Sequence, residues 1–394
     1  MTGVAPDRSA SGGPLPLDRA YLTDLLVDLL RTPSPSGRTD QAIQLVGDRL
    51  TDLGFEIVVT RRGALRVEWG APREHHTRRA LIAHIDTLGA TVKELKENGR
   101  LAVVPIGTYS PRVAEGARVT LFTDGTDRAP LTGTILPVKA AGHRYHREVD
   151  TQPSAWDNLE VRVDERVDDA DGLATLGLRV GDHIAVDSVP VVTPSGFVNA
   201  RHLDDKAGVA AVLTALKALR DAEVEPTVAC QVLITISEEV GHGASNGLDD
   251  DVAELVAVDN AVVAPGQQSR EDRVTIATQD LHGPFDYHLT RHLIELCRVH
   301  GIRHCRDVFD FYRSDAAAAL EAGMATRAAL VGVPVDASHA WERTHLDGVA
   351  AVVQLLVAYL RSELTFTHWD RAPVGPLEEF PSTSVQPAPL QPPR

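Results

Sequence analysis

Three cysteines in 394 residues, at positions 230, 297 and 305, are too few for a disulfide framework, and no CxxC pair offers a thiolate metal site. A reducing compartment is the expected setting. No apolar run approaches the roughly 18 residues that cross a bilayer, and no signal peptide precedes the first helical stretch. The cytoplasm is therefore the expected location, with no membrane partner. Positive charge is also scarce: 39 Lys and Arg face 55 Asp and Glu, a formal net charge of −16. No basic patch offsets this, which argues against nucleic acid or an anionic lipid surface as partner. No P-loop or strand-linked GxGxxG cradles a nucleotide. Serine hydrolysis lacks its GxSxG elbow, a serine on a sharp strand-to-helix turn.

What the chain does have is the ordinary composition of a folded protein, 43% apolar and 24% charged, and enough length for one large domain and a smaller one. Residues 1–16 and 371–394 are rich in Gly, Pro and Ser or in Pro alone and read as disordered tails. DRAYLTDLLVDLL and TDQAIQLVGDRLTDLG have helical periodicity, and FEIVVTRR, ALRVEWG and RRALIAHID read as strands. Residues 90–193 change texture: short β-like runs such as LAVVPIG, RVTLFT and TGTILPV, with no long helix, predict an inserted β-rich domain. Helix and strand patterns resume at 194 and run to about 370, with a long helix from about Lys206. The expected fold is α/β: a mixed sheet covered by helices, formed by 17–89 and 194–370, interrupted by a small barrel-like insert.

The acidic residues are not scattered at random over this pattern. RRALIA ends in His84 and Asp86, TVACQVLITI ends before Glu238 and Glu239, and AELVAV ends in Asp259. Asp204 and Asp205 sit at the entrance of the long helix. Ligands bind beyond the carboxyl ends of strands in open α/β sheets. Carboxylates gathered there repel and lose hydration unless something positive lies between them. Carboxylates with imidazoles favour a hard or borderline ion, Zn²⁺, Co²⁺ or Mn²⁺, and a shared carboxylate can bridge two ions roughly 3.5–4 Å apart. A second histidine is then needed, and SHAWERTH supplies His339 and His345. Of the two neighbouring glutamates, one can bind metal while the other takes a proton from water. His202, although close to Asp204 in sequence, is expected to face elsewhere, and Cys230 reads as a small core residue.

In order, HIDTLG (84–89), HLDDKAG (202–208), SEEVGHGA (237–244), AVD (257–259), HGPFD (282–286), YRSDAAA (312–318) and SHAWERTH (338–345) resemble the tetrahedral and glutamyl aminopeptidases, over about residues 18–362. The resemblance implies two divalent ions per subunit, Zn²⁺ or Co²⁺. His84 would bind one ion beside Glu239, and His339 the other beside Asp259. Asp204 would bridge them, held in place by a strained or cis peptide to Asp205. Glu238 would be the general base, Asp86 would orient His84, and Asp315 would lie on the substrate side. His339 is followed here by AWERTH where the family places Ser-Pro, so His345 is kept as an alternative ligand. His242 stands where the family is usually apolar. The implied reaction is hydrolysis of the N-terminal peptide bond of a peptide or small amide by a hydroxide between the ions. The insert would form subunit contacts, giving a homodimer that assembles further into a dodecameric shell. The sequence looks closest to a branch associated with the osmoprotectant N-acetylglutaminylglutamine amide. A metal-dependent N-acyl deacylase or amidohydrolase is the enzyme alternative, and a catalytically inactive assembly or ligand-binding protein is the alternative from another class.

Overall fold

A computed structural model describes residues 14–70, 77–124 and 129–366, together with Gly375 and Leu377. The expected tails at 1–16 and 371–394 lie almost wholly outside the described residues. Four parallel strands form the middle of a 12-stranded sheet, in the order Cys230–Thr235, Arg78–His84, Val252–Val263 and Arg327–Asp336. Leu65–Trp69 and Ile57–Val59 extend it antiparallel on one side. Glu342–His345, Phe197–Ala200 and Val191–Val192 extend it on the other. Val274–Asp280, His304–Val308 and Gly283–Pro284 branch from Arg327–Asp336. The central strands are buried along nearly their whole length, which is why they read as apolar runs rather than as alternation.

Helices cover both faces. Arg19–Arg31 turns Leu22, Leu25, Leu26, Leu29 and Leu30 inward at helical spacing, and its first turn is capped by the Asp18 side chain accepting from Tyr21 N. Each such leucine contributes about 1.5–3 kcal/mol when buried. Leu203–Asp221 and Leu346–Leu360 share that core. The short helix Asp315–Glu321 packs in a second core with Ala80, Ile82, Leu255 and Leu330.

Between Arg78–His84 and the return to the large sheet, six strands close into a barrel in the order Gly89–Leu95, Leu101–Ile106, Leu159–Val163, Leu131–Pro137, Arg118–Phe122, His183–Val186. It has its own core, with Val92, Leu101, Val119, Leu121, Ile135, Val161 and Ile184 buried. Its helices are short, the longest being Ala170–Thr175. The architecture is thus the expected one: a mixed sheet between helices with an inserted barrel. Among the described residues no helix is long and apolar enough to cross a membrane.

Candidate metal centre

The parallel strands bring their C-terminal ends to one edge, and the sheet order decides which side chains meet there. Arg78–His84 lies between the strand that runs on to Glu238 and Glu239 and the strand that carries Asp259. His84 ends its strand opposite Thr235. Asp259 stands two residues beyond Ala257, the partner of Ile82, and so comes level with His84. His84, Asp204 and Asp259 each bring one ligand-capable atom within 4.8 Å of the others. The His84 Nε2 atom lies 3.2 Å from Asp204 Oδ1, 3.8 Å from Asp259 Oδ1 and 3.8 Å from Glu238 Oε2. The other oxygen of Asp204 faces away: Oδ2 is 3.3 Å from His339 Nε2, which in turn is 3.6 Å from Glu239 Oε2.

This geometry exchanges one expected pairing. Asp259 stands beside His84, and Glu239 beside His339. The reason is length: Asp259 is still inside its strand, whereas Glu239 lies four residues past the end of Cys230–Thr235, far enough out to approach the loop of His339. His345 is not in the group. Its Nε2 donates to Ser195 O, and its Nδ1 accepts from Asp347 N as the cap of Leu346–Leu360.

Both ring orientations are held from behind. His84 Nδ1 is 3.0 Å from the main-chain oxygen of Asp86, and His339 Nδ1 is 2.9 Å from that of Thr108, in the loop after the barrel strand Leu101–Ile106. A carbonyl only accepts, so Nδ1 carries the proton in each ring and Nε2 is left facing the acids. The Asp86 carboxylate is 3.5 Å from the His84 ring and is chiefly engaged elsewhere. It accepts from Ser36 Oγ at 2.5 Å and from the main-chain N–H groups of Glu238 at 3.1 Å and Glu239 at 3.3 Å. Asp86 therefore holds the glutamate turn with its side chain and His84 with its backbone.

The entrance of Leu203–Asp221 is irregular: Asp204 and Asp205 have non-helical dihedrals and the peptide between them is cis. Asp205 Oδ2 accepts from His84 N, and a side chain at Gly208 would overlap the Asp205 carboxylate. Asn260 Nδ2 donates to Asp204 Oδ2 at 2.5 Å. His202, the buried residue before this turn, donates from Nε2 to Val186 O and points away from the acids, as expected. Asp315 is not a substrate-side group. Its buried carboxylate accepts from Thr235 Oγ1 and Ala244 N and anchors the loop after Glu239, where a side chain at Gly243 would collide with it. His242 lies exposed on this loop, its Nδ1 3.2 Å from Arg62 Nη2. Residues 243–247 do spell Gly-Ala-Ser-Asn-Gly, but Ser245 sits on a short 3-10 turn that leads into no helix, so no nucleophile elbow is formed.

Sequence reading missed Glu342, whose buried carboxylate accepts from Asp204 N at 3.2 Å and His339 N at 2.8 Å. It missed Ser338, whose hydroxyl is 3.3 Å from Asp204 Oδ2, and Tyr312, whose partly buried ring brings its hydroxyl beside Asp259. Adjacency to His339 was the only signal for Glu342 and Ser338.

Electrostatically the group is unbalanced. Among the described residues, no Lys or Arg forms an ion pair with Asp204, Glu238, Glu239 or Asp259. Burial, reinforced by neighbouring carboxylates, drives Glu238 and Asp205 well above the usual carboxylate range, Glu239 up to about 8 and Asp259 up to about 7. Burial opposes the charging of the histidines, yet Asp204 and the other acids outweigh it, raising His84 strongly and His339 to about 10. Glu239 Oε1 and Asp205 Oδ1 are buried with no hydrogen-bond partner. Orphaned oxygens in an acidic pocket that must otherwise hold extra protons are what a divalent cation would satisfy. Oxygen and imidazole donors suit Zn²⁺ or a similar ion.

Residues 63–355 match the family model described as M42 glutamyl aminopeptidase. The chain is 34% identical over 341 residues to YhfE of Bacillus subtilis (strain 168), named as a candidate aminopeptidase, covering 86% of this chain and 97% of that protein. Two TET peptidases are among the solved structures that share the fold. The TET aminopeptidase of Thaumarchaeota archaeon SCGC AB-539-E09 gives a TM-score of 0.78 at 16% identity, over 86% of this chain and 96% of that one. The TET1 peptidase of Pyrococcus horikoshii gives 0.76 at 22%, over 87% and 100%. With the family model spanning most of the chain and an acid and imidazole cluster at its sheet edge, the protein belongs to the M42 glutamyl aminopeptidase family and is a metallopeptidase.

Proposed function

We propose that the protein removes N-terminal residues from peptides using two divalent cations, Zn²⁺ or Co²⁺. His84 and Asp259 would hold one, Glu239 and His339 the other, and Asp204 both. The observation that carries this reading is the two-sided placement of Asp204, with one oxygen 3.2 Å from His84 Nε2 and the other 3.3 Å from His339 Nε2. When bound, such ions polarise a scissile carbonyl and make water a nucleophile near neutral pH. Glu238 is the proton carrier, accepting from the attacking water and donating to the leaving amine. Its side chain is 14% exposed, against 3–4% for Asp204, Glu239 and Asp259, so it alone among these carboxylates opens toward an incoming substrate. Asp86 fixes its backbone, and Thr108 of the barrel loop fixes the His339 ring.

The barrel, taken as the insert 90–193 within a catalytic domain of 17–89 and 194–370, would restrict access and make subunit contacts. The Pyrococcus horikoshii relative can assemble into a tetrahedron or a large octahedral shell, and a homo-oligomer is proposed here too. A cytoplasmic location fits the scarcity of cysteine.

The test is a panel of free-amine dipeptides and tripeptides beside their N-acylated forms, N-acetylglutaminylglutamine amide among them, assayed on chelator-stripped and metal-reloaded protein. Activity is expected on free amines, only after reloading. Turnover of acylated forms alone would replace the aminopeptidase by a deacylase. Glu238→Gln should keep its metal while kcat falls about 10²–10⁴-fold; unchanged kcat would remove Glu238 as the base.

A further inference from the structure

We propose that Glu342 is a positioning residue that couples the two halves of the metal centre, setting the His339 side against the shared Asp204. The inference rests on the two-cation reading above. Glu342 is 2% exposed and begins the strand Glu342–His345, opposite Ala200. Ala200 ends the strand whose continuation leads to Asp204, so the register sets Glu342 between the two loops that carry Asp204 and His339. Its oxygens divide between them, Oε2 toward Asp204 N and Oε1 toward His339 N.

Both loops need such a hold. His202 lies in left-handed backbone at φ 67°, and Ala337 and His339 do so at φ 56° and 68°, a conformation that residues with a Cβ seldom adopt without support. The main-chain groups of these turns have no helix or sheet ladder to satisfy them, and two N–H donors facing each other require two acceptors. A carboxylate supplies two; a carboxamide supplies one and points a donor at the other N–H. A simple loop brace could be met by any acceptor on either loop. A single acceptor-only fork joining both loops instead fixes the distance between Asp204 Oδ2 and His339 Nε2, the pair that would share an ion. Ser338 adds a weaker tie to the same Asp204 oxygen.

The test measures Zn²⁺ stoichiometry and affinities by chelator competition on the full-length protein, with the melting temperature of the stripped protein as a control for folding. Wild type is expected to bind two ions. Glu342→Gln should retain one at wild-type affinity and weaken the other by about 10–100-fold, as loss of a group supporting metal ligands does. Its kcat deficit should shrink as added Zn²⁺ fills the weakened position. If Glu342→Gln does not fold, Glu342→Asp, whose shorter carboxylate reaches one N–H at a time, carries the same comparison. Both ions binding as in wild type, even with a lowered melting temperature, would reduce Glu342 to a loop brace and overturn the proposal. So would equal weakening of both ions. A wild type that binds one ion overturns the two-cation reading itself, and the coupling role falls with it.

Discussion

Asp86→Asn separates two ways in which this residue could serve the centre. Its carboxylate grips the turn of Glu238 and Glu239 through their N–H groups at 3.1 and 3.3 Å, while the His84 ring is held by the Asp86 main-chain oxygen at 3.0 Å. The asparagine keeps the backbone contact. It can also keep Ser36 and one of the two N–H groups, but its NH₂ then opposes the other N–H. One charge-assisted hydrogen bond is lost, worth about 1.5–3 kcal/mol. If that loss falls on the placement of Glu238 in the transition state, kcat should drop roughly 10–150-fold, at 1.36 kcal/mol per factor of ten. The ion held by His84 should bind as in wild type. Steady-state kinetics on a free-amine dipeptide, paired with Zn²⁺ competition titrations, reads both quantities. A variant with wild-type kcat in which no ion keeps wild-type affinity would mean that the carboxylate serves the His84 ring after all, and the reasoning would fail.

Three further outcomes are expected. Asp204→Ala should lose both ions, because its two oxygens face both histidines; full metal occupancy by elemental analysis would refute the shared role. His345→Ala should keep metal and kcat while losing about 0.5–2 kcal/mol of stability through the Leu346–Leu360 cap, and metal loss in that variant would restore His345 as a ligand. Lys206, buried with its amine on Leu29 O and Thr32 O, is lowered by burial from 10.5 to about 7. Between those values the unfolded chain binds the extra proton, so this group makes stability rise with pH, by at most roughly 5 kcal/mol. Urea melts from pH 7 to 10 should therefore show Lys206→Met growing more destabilising with pH; a ΔΔG independent of pH would contradict the burial argument.

Much of the fold was open to reading because its central strands are wholly buried. RRALIAH and CQVLIT could be nothing but core, and the acids at their ends stood out against them. The regular part of the long helix does begin at Lys206, since Asp204 and Asp205 are non-helical. What stayed hidden depends on neighbours across the sheet. No spacing in the chain says that Asp259 comes level with His84, because that follows from the register with Arg78–His84. Nor could pattern separate His339 from His345, six residues apart; a left-handed turn aims one at Asp204, and pairing with Phe197 turns the other toward Ser195. Glu342 looked like one more charge in a polar stretch, because its partners are main-chain groups and leave no trace in side-chain chemistry.

The Thr108 carbonyl behind the His339 ring joins positions 231 residues apart. A polypeptide still emerging from the ribosome cannot make that connection until the segment carrying His339 has been synthesised and docked. On the two-cation reading, the His339 side of the centre therefore forms only after the barrel and this late segment have both folded.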